Sequence, residues 1–168
     1  MIIESPFRAP WWLRNRQLQT FYPSMPWSWR KRLELRRETL ELPDGDATVV
    51  DWPVVTDSFS KSVPLLVVLH GLEGSAESSY ARMAMHAACK RGWQTCVLHF
   101  RDCGDYRNRL PRRYHAGETA DVRHFLTELR KKGFDGPIFA VGYSLGGNVL
   151  LKYLGESGEH TPVTAAVA

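Results

Sequence analysis

The sequence predicts an α/β fold in which an antiparallel hairpin leads into a mostly parallel sheet with helices on both faces. Three observations carry this. Residues 37–55 alternate polar and apolar around an Asp44-Gly45-Asp46 turn, three later stretches are short uninterrupted apolar runs, and stretches of helical periodicity separate those runs. Strands buried on both faces read as continuous apolar runs, and parallel neighbours need crossovers, so the alternation implies a parallel sheet.

Each element has its own local signal. Arg37, Glu38, Thr39, Leu40, Glu41 and Leu42 alternate before the turn, and the β-branched residues of 47–55 return after it. Residues 65–69, Leu-Leu-Val-Val-Leu, form the first buried parallel strand. Tyr80, Met83, Ala84 and Ala87 then fall at helical spacing, with Ser78 or Ser79 to cap the start and Gly92 to mark the stop. Residues 94–100 are a second buried strand, followed by an arginine-rich loop over 101–114. In the next helix Val122, Phe125, Leu126 and Leu129 occupy the inward positions, and Gly133 ends it. Residues 137–141 form the third apolar strand, and the helix after it buries Val149, Leu150, Tyr153 and Leu154. Residues 164–168 read as the start of a further strand, so about five strands precede that point.

Composition bounds the rest. With 168 residues, 43% hydrophobic and 24% charged, the chain has the apolar content of one globular domain. The net charge of +4 is concentrated at the start, where residues 1–37 hold eight Arg or Lys against Glu4 and Glu34. Trp11, Trp12, Trp27 and Trp29 lie in the same arm. Tryptophan and arginine stems bury apolar area while their polar ends stay wet, so the arm reads first as a segment packed on its own domain. Peripheral contact with an anionic membrane is the alternative, and no nucleic-acid partner is expected. Cys89, Cys96 and Cys103 lack metal-type pairing and imply free thiols in a reducing compartment. The longest clean apolar run falls far short of the roughly 20 residues of a membrane span, and the start of the chain lacks a leader-like pattern, so the expectation is a cytoplasmic protein.

The chemistry centres on Gly142-Tyr143-Ser144-Leu145-Gly146. A G-x-S-x-G match alone arises by chance about one time in twenty in a chain this long. Here it lies between a short β-type run and an amphipathic helix, the setting of a nucleophile elbow, with Ser144 as nucleophile. Side chains at Gly142 and Gly146 would collide with the neighbouring strand and helix on so tight a turn. The N–H of Leu145, at the helix start, faces the site where an oxyanion would develop. His70-Gly71-Leu72-Glu73-Gly74 follows directly on the first buried strand, so Leu72 is expected to give the second donor, with Gly71 and His70 shaping the turn.

An acid and a base for this serine are not expected within the chain. No aspartate follows Ser144, and Glu156 lies twelve residues along the helix, about 18 Å away. His99, His115 and His124 precede the serine and read as structural hydrogen bonders. Ser, acid and His follow one another in that order in this kind of site, so the remaining partners are expected beyond residue 168 and residues 1–168 alone are expected to be inactive.

On these residues the chain resembles the YheT-type branch of the α/β-hydrolases. The resemblance rests on HGLEG, NRLPRRYHAGET and GYSLGGNVLLKYLGE and runs from about Leu65 to Glu156. It implies an eight-stranded sheet and a Ser, Asp, His triad of which only Ser144 carries over; with the composition, the chain reads as a basic aromatic arm over 1–37 followed over 38–168 by the N-terminal part of a hydrolase domain. The implied activity is hydrolysis of carboxylic esters, short- to medium-chain or lipid, without metal or organic cofactor and with a small acyl ester as substrate. The chain departs from the family's small, glycine-containing stretch before Asn108, having Arg101-Asp102-Cys103-Gly104-Asp105-Tyr106-Arg107 there, which bears on the loop beside the pocket. The competing class is a non-catalytic hydrolase scaffold that binds a membrane surface or nucleic acid through the arm. Nothing in the sequence sets the oligomeric state.

Overall fold

Strand β1 (Leu35–Glu41) pairs antiparallel with β2 (Ala47–Pro53) across the Asp44-Gly45-Asp46 turn, in which Gly45 adopts φ 85°. β2 pairs antiparallel with β4 (Gln94–Leu98), which lies parallel to β3 (Leu65–Leu69). β3 is followed parallel by β5 (Ile138–Gly142) and then β6 (Val163–Val167). The spatial order is therefore β1-β2-β4-β3-β5-β6. A computed structural model of the chain describes residues 7–22, 33–54 and 60–168.

The expected mixed sheet is present, with one strand more than the five counted from sequence. Residues 163–167 form a paired strand, not just the beginning of one. Helix α2 (Ser79–Cys89) covers one face, where Ala81 and Met85 cluster with Val68 and Val97. Helices α3 (Ala120–Lys131) and α4 (Leu145–Ser157) cover the other, where Val122, Phe125, Leu126, Leu129, Val149, Leu150 and Tyr153 pack on Val67, Leu69, Cys96 and Leu98. At about 25 cal/mol per Å² of apolar area, this two-sided burial dominates the stability of the sheet.

The face of α2 differs from the sequence reading. Ala81, Met85 and Ala88 are buried, whereas Met83 and Ala87 are exposed, so the inward stripe is rotated by about one residue. The small residues let the helix sit close to the sheet, and the Tyr80 ring is drawn aside to pack, tilted, against Tyr143 at 4.5 Å. Ser78 stands at the N-cap, but its hydroxyl accepts from Ser75 N–H and caps no helical amide.

Two compact units divide the chain at residues 31 and 32, so the boundary expected at 37 and 38 falls inside β1. The first unit contains a 3₁₀ turn (Trp11–Leu13) and the short α1 helix (Arg16–Phe21). Asn15 caps α1 by accepting from Gln17 N–H at 2.9 Å, and Trp12 meets Tyr22 edge-on at 5.1 Å. Trp27 and Trp29 lie outside the described residues. Among the described residues no helix is long and apolar enough to cross a membrane. Cys89, Cys96 and Cys103 are free thiols.

Candidate active site

β3 is the point where the order of the parallel strands reverses, with β4 on one side and β5 on the other. Loops leaving the carboxyl ends of strands at such a point form a crevice. Here the two loops are those singled out from sequence. Leu69 and Gly142 are level in the register, and Tyr143 N–H donates to Leu69 O at 3.0 Å, so His70–Gly74 and Gly142–Gly146 emerge side by side.

Ser144 stands at the N-cap of α4 with φ 52° and ψ −115°, and it is exposed. A non-glycine residue in that region costs on the order of 1–3 kcal/mol and persists only where its surroundings enforce it. The glycines supply the enforcement. A Cβ on Gly142 would lie 2.5 Å from Gly146 O and 2.6 Å from Gly147 Cα, and one on Gly146 would run into the carbonyls of Leu69 and His70. Both positions therefore exclude any side chain, as the spacing of the motif implies.

The His70–Gly74 loop lies against this turn, since a Cβ on Gly71 would fall 3.5 Å from Ser144 Cβ and 3.4 Å from Tyr143 O. Among the described residues no acceptor takes the N–H of Leu72 or of Leu145. Leu145 N–H is one of the unpaired amides of the helix start, where the helix dipole also favours negative charge. Leu72 is 70% exposed, and both residues line one cleft of about 930 Å³ together with Tyr106, Arg107, Tyr114 and His115.

His70 organises this loop from within. It is fully buried, and its Nε2 accepts from Phe100 N–H at 3.1 Å, which leaves Nδ1 to carry the proton and donate to Gly71 O at 2.7 Å. Burial pulls its pKa down from 6.5 to about 4. His99 is buried beside it and also lowered by burial, with Nε2 accepting from Ala76 N–H and Nδ1 facing Val49 O. A lowered histidine pKa means that the unfolded chain binds the extra proton first, so stability is full above about pH 6.5 and declines as pH falls toward 4. For His70 alone the loss is on the order of 3 kcal/mol. Urea midpoints should fall over that window while the His70 imidazole, followed by NMR, stays neutral down to about pH 5. Titration of His70 near 6.5 with a flat midpoint profile would contradict the buried neutral ring.

The other titratable candidates have structural partners. His124 Nε2 bonds Glu41 O at 2.8 Å, and exposed His115 accepts from Gly117 N–H. Glu156, near the far end of α4, accepts from Thr119 Oγ1 at 2.6 Å and pairs with Lys152. Among the described residues no histidine or carboxylate is hydrogen-bonded to Ser144.

Sequence reasoning missed two features around the cleft. Tyr80 and Tyr114 both bond the His70–Gly74 loop, Gly71 N–H donating to Tyr80 Oη and Glu73 N–H to Tyr114 Oη, each at 3.0 Å. Arg101, read as a loop residue, is buried and bidentate on Asp121 at 2.8 Å, with Asp44 at 2.7 Å and Asp46 at 3.2 Å. This ion cluster, with Arg112 bridging Asp44 and Glu118, fastens the 101–118 loop to the hairpin turn. Asn108 and Asp102 exchange hydrogen bonds between their backbone amides and side chains, so the departing stretch is a folded loop in which Asp102, Gly104 and Asp105 all take positive φ.

Comparison with known proteins agrees with this fold. Residues 64–168 match the family model described as the alpha/beta hydrolase fold. The chain is 44% identical to the protein named "Putative esterase YheT" of Escherichia coli, over 91% of this chain and 44% of that protein. It is 32% identical to the embryogenesis-associated protein EMB8 of Picea glauca, over 97% of this chain and 37% of that one. The esterase Pf2001 of Pyrococcus furiosus superposes with a TM-score of 0.63 at 19% identity, covering 81% of this chain and 51% of that structure. The chain thus spans less than half the length of the curated relatives it matches.

Proposed function

Given that this chain belongs to the α/β-hydrolase family, on its YheT-type branch, we propose that it carries the nucleophile and oxyanion hole of a serine hydrolase acting on carboxylic esters. The observation that carries the reading is the exposed, positive-φ Ser144 at the start of α4, beside two N–H groups that have no acceptor among the described residues. The Ser144 hydroxyl attacks the ester carbonyl, and a histidine contributed from beyond residue 168, oriented by an aspartate, takes its proton. The carbonyl oxygen becomes an oxyanion held by the Leu72 and Leu145 N–H groups. Collapse breaks the bond to the alcohol, which leaves with the proton from histidine, and water then releases the acid from the acyl serine by the same steps in reverse order of roles. Names of relatives support the acyl-ester class: the "Monoacylglycerol lipase" of Saccharomyces cerevisiae is 33% identical over 62% of this chain and 24% of that protein. Ester, thioester and amide substrates share this constellation, and the ester is the class those names favour.

A fluorophosphonate probe tests the reading directly, because labelling needs an activated serine and a formed oxyanion hole. The protein that carries this chain with its triad partners should label at Ser144, and Ser144→Ala should abolish labelling. Absence of labelling in the folded wild type would favour the scaffold reading. Gly71→Val should act through the other half of the site: its γ-carbons have no room beside Tyr143 O and Ser144 Cβ, so the Leu72 N–H is displaced. A lost oxyanion donor is worth roughly 10² to 10³ in turnover. Gly71→Ala, whose Cβ meets only atoms at 3.4–3.5 Å, should keep most activity. Equal losses for the two variants would rule out that account of Leu72.

A further inference from the structure

We infer that Tyr80 and Tyr114 are positioning residues for the oxyanion loop: their hydroxyls take the N–H groups on either side of Leu72 and leave the Leu72 N–H alone to face substrate. The inference rests on the serine-hydrolase reading above, and it comes from hydrogen bonds that the motif itself does not encode. Gly71 N–H donates to Tyr80 Oη and Glu73 N–H to Tyr114 Oη, both at 3.0 Å. Gly74 N–H turns back to Gly71 O at 3.0 Å, so of the four amides from Gly71 to Gly74 three are spoken for within the fold.

Two further observations tie the hydroxyls to the loop's shape. A Cβ on Gly74 would collide with the Tyr80 hydroxyl, so the second glycine of His70–Gly74 makes room for that hydroxyl. Glu73 takes φ 50°, a conformation costly for a side-chain-bearing residue, at the position that Tyr114 bonds. The rings are themselves fixed. Tyr80 packs tilted against Tyr143, the residue before Ser144, with ring centres 4.5 Å apart, and Tyr114 lies on Phe100 with ring centres 5.2 Å apart and planes 12° apart. The clamp therefore references the Leu72 donor to the nucleophile turn on one side and to the end of β4 on the other. An oxyanion donor acts through distance, and displacement by about 1 Å costs on the order of 10² in rate.

Tyr80→Phe and Tyr114→Phe remove one hydroxyl each and keep the rings. In the protein with its triad complete, each should lower kcat on an activated ester about 10-fold and the pair about 10²-fold, with KM changed less than about twofold. The matched thionoester provides the discriminating measurement, since its sulfur is a weak hydrogen-bond acceptor. Ester turnover should fall more than thionoester turnover, so their ratio drops. A parallel fall of both substrates, or unchanged kcat, would overturn the inference. Amide hydrogen exchange gives a reading free of activity: Gly71 and Glu73 amides should exchange faster in the respective variants, and unchanged exchange there would also overturn it. Turnover retained by Ser144→Ala in the same assay would instead remove the hydrolase reading, while the exchange data would still decide whether the tyrosines hold the loop.

Discussion

Ser144→Ala should remove nearly all hydrolysis of a short activated ester, a loss on the order of 10⁶ in turnover if the site behaves as a related triad does, while leaving the fold almost intact. The two effects separate for physical reasons. The hydroxyl is exposed at the elbow, and alanine at the same position inherits the same positive φ, so packing and backbone strain change little. Covalent attack, by contrast, has no ready substitute: Cys103 lines the same cleft as Leu72 and Leu145, but it is buried, and burial pushes its thiol pKa up, away from the reactive thiolate. Some rate above the uncatalysed reaction should survive from those amides and from substrate binding. The check is kcat on a p-nitrophenyl ester together with a thermal melt. Retention of more than a small fraction of turnover in a variant with an unshifted melt would show that another group performs the attack.

The elbow was legible because its constraints are local. Two glycines, a serine between strand and helix periodicity, and a preceding glycine-rich loop state where backbones must come close, and the close approaches at Gly142 and Gly146 are those the motif requires. Strand and helix identities were legible for a similar reason, since period reports which side chains leave water. What period cannot report is which neighbour a buried side chain meets. The face of α2 was misjudged because Tyr80 counts as apolar in a pattern, while its hydroxyl is committed to Gly71 and its ring to Tyr143. The burial of Arg101 in the arginine-rich loop escapes a sequence pattern for the same reason. Charge in a sequence reads as surface, and only the fold brings Asp44, Asp46 and Asp121 around Arg101.

That cluster sets the second large effect: Arg101→Met should destabilise the fold by about 3–5 kcal/mol, the usual cost of removing one partner from a buried ion pair. The Arg101 side chain is 1% exposed and those of Asp46 and Asp121 are 0% and 8% exposed, so water cannot replace the guanidinium. Hydrogen bonding to Asp121 outweighs burial and holds the arginine firmly charged. Without it, Asp46 retains backbone donors, accepting from Ala47 N–H at 2.8 Å and Arg109 N–H at 2.9 Å. Asp121 loses both of its guanidinium bonds and carries most of the penalty. Three variants separate charge from geometry. Arg101→Lys keeps the charge but cannot make the planar two-bond contact and should recover only part of the loss. Arg101→Met with Asp121→Asn removes the stranded charge and should be more stable than Arg101→Met alone, a non-additivity of more than about 1 kcal/mol in a double-mutant cycle. Because the same cluster fastens the loop that carries Tyr114, Arg101→Met should also lower ester turnover in whatever fraction remains folded. Urea denaturation of the wild type, these three variants and Asp121→Asn alone checks the energetics. A loss below about 1 kcal/mol for Arg101→Met, or strict additivity with Asp121→Asn, would mean that the loop is held by its backbone and that the ion cluster is incidental to it.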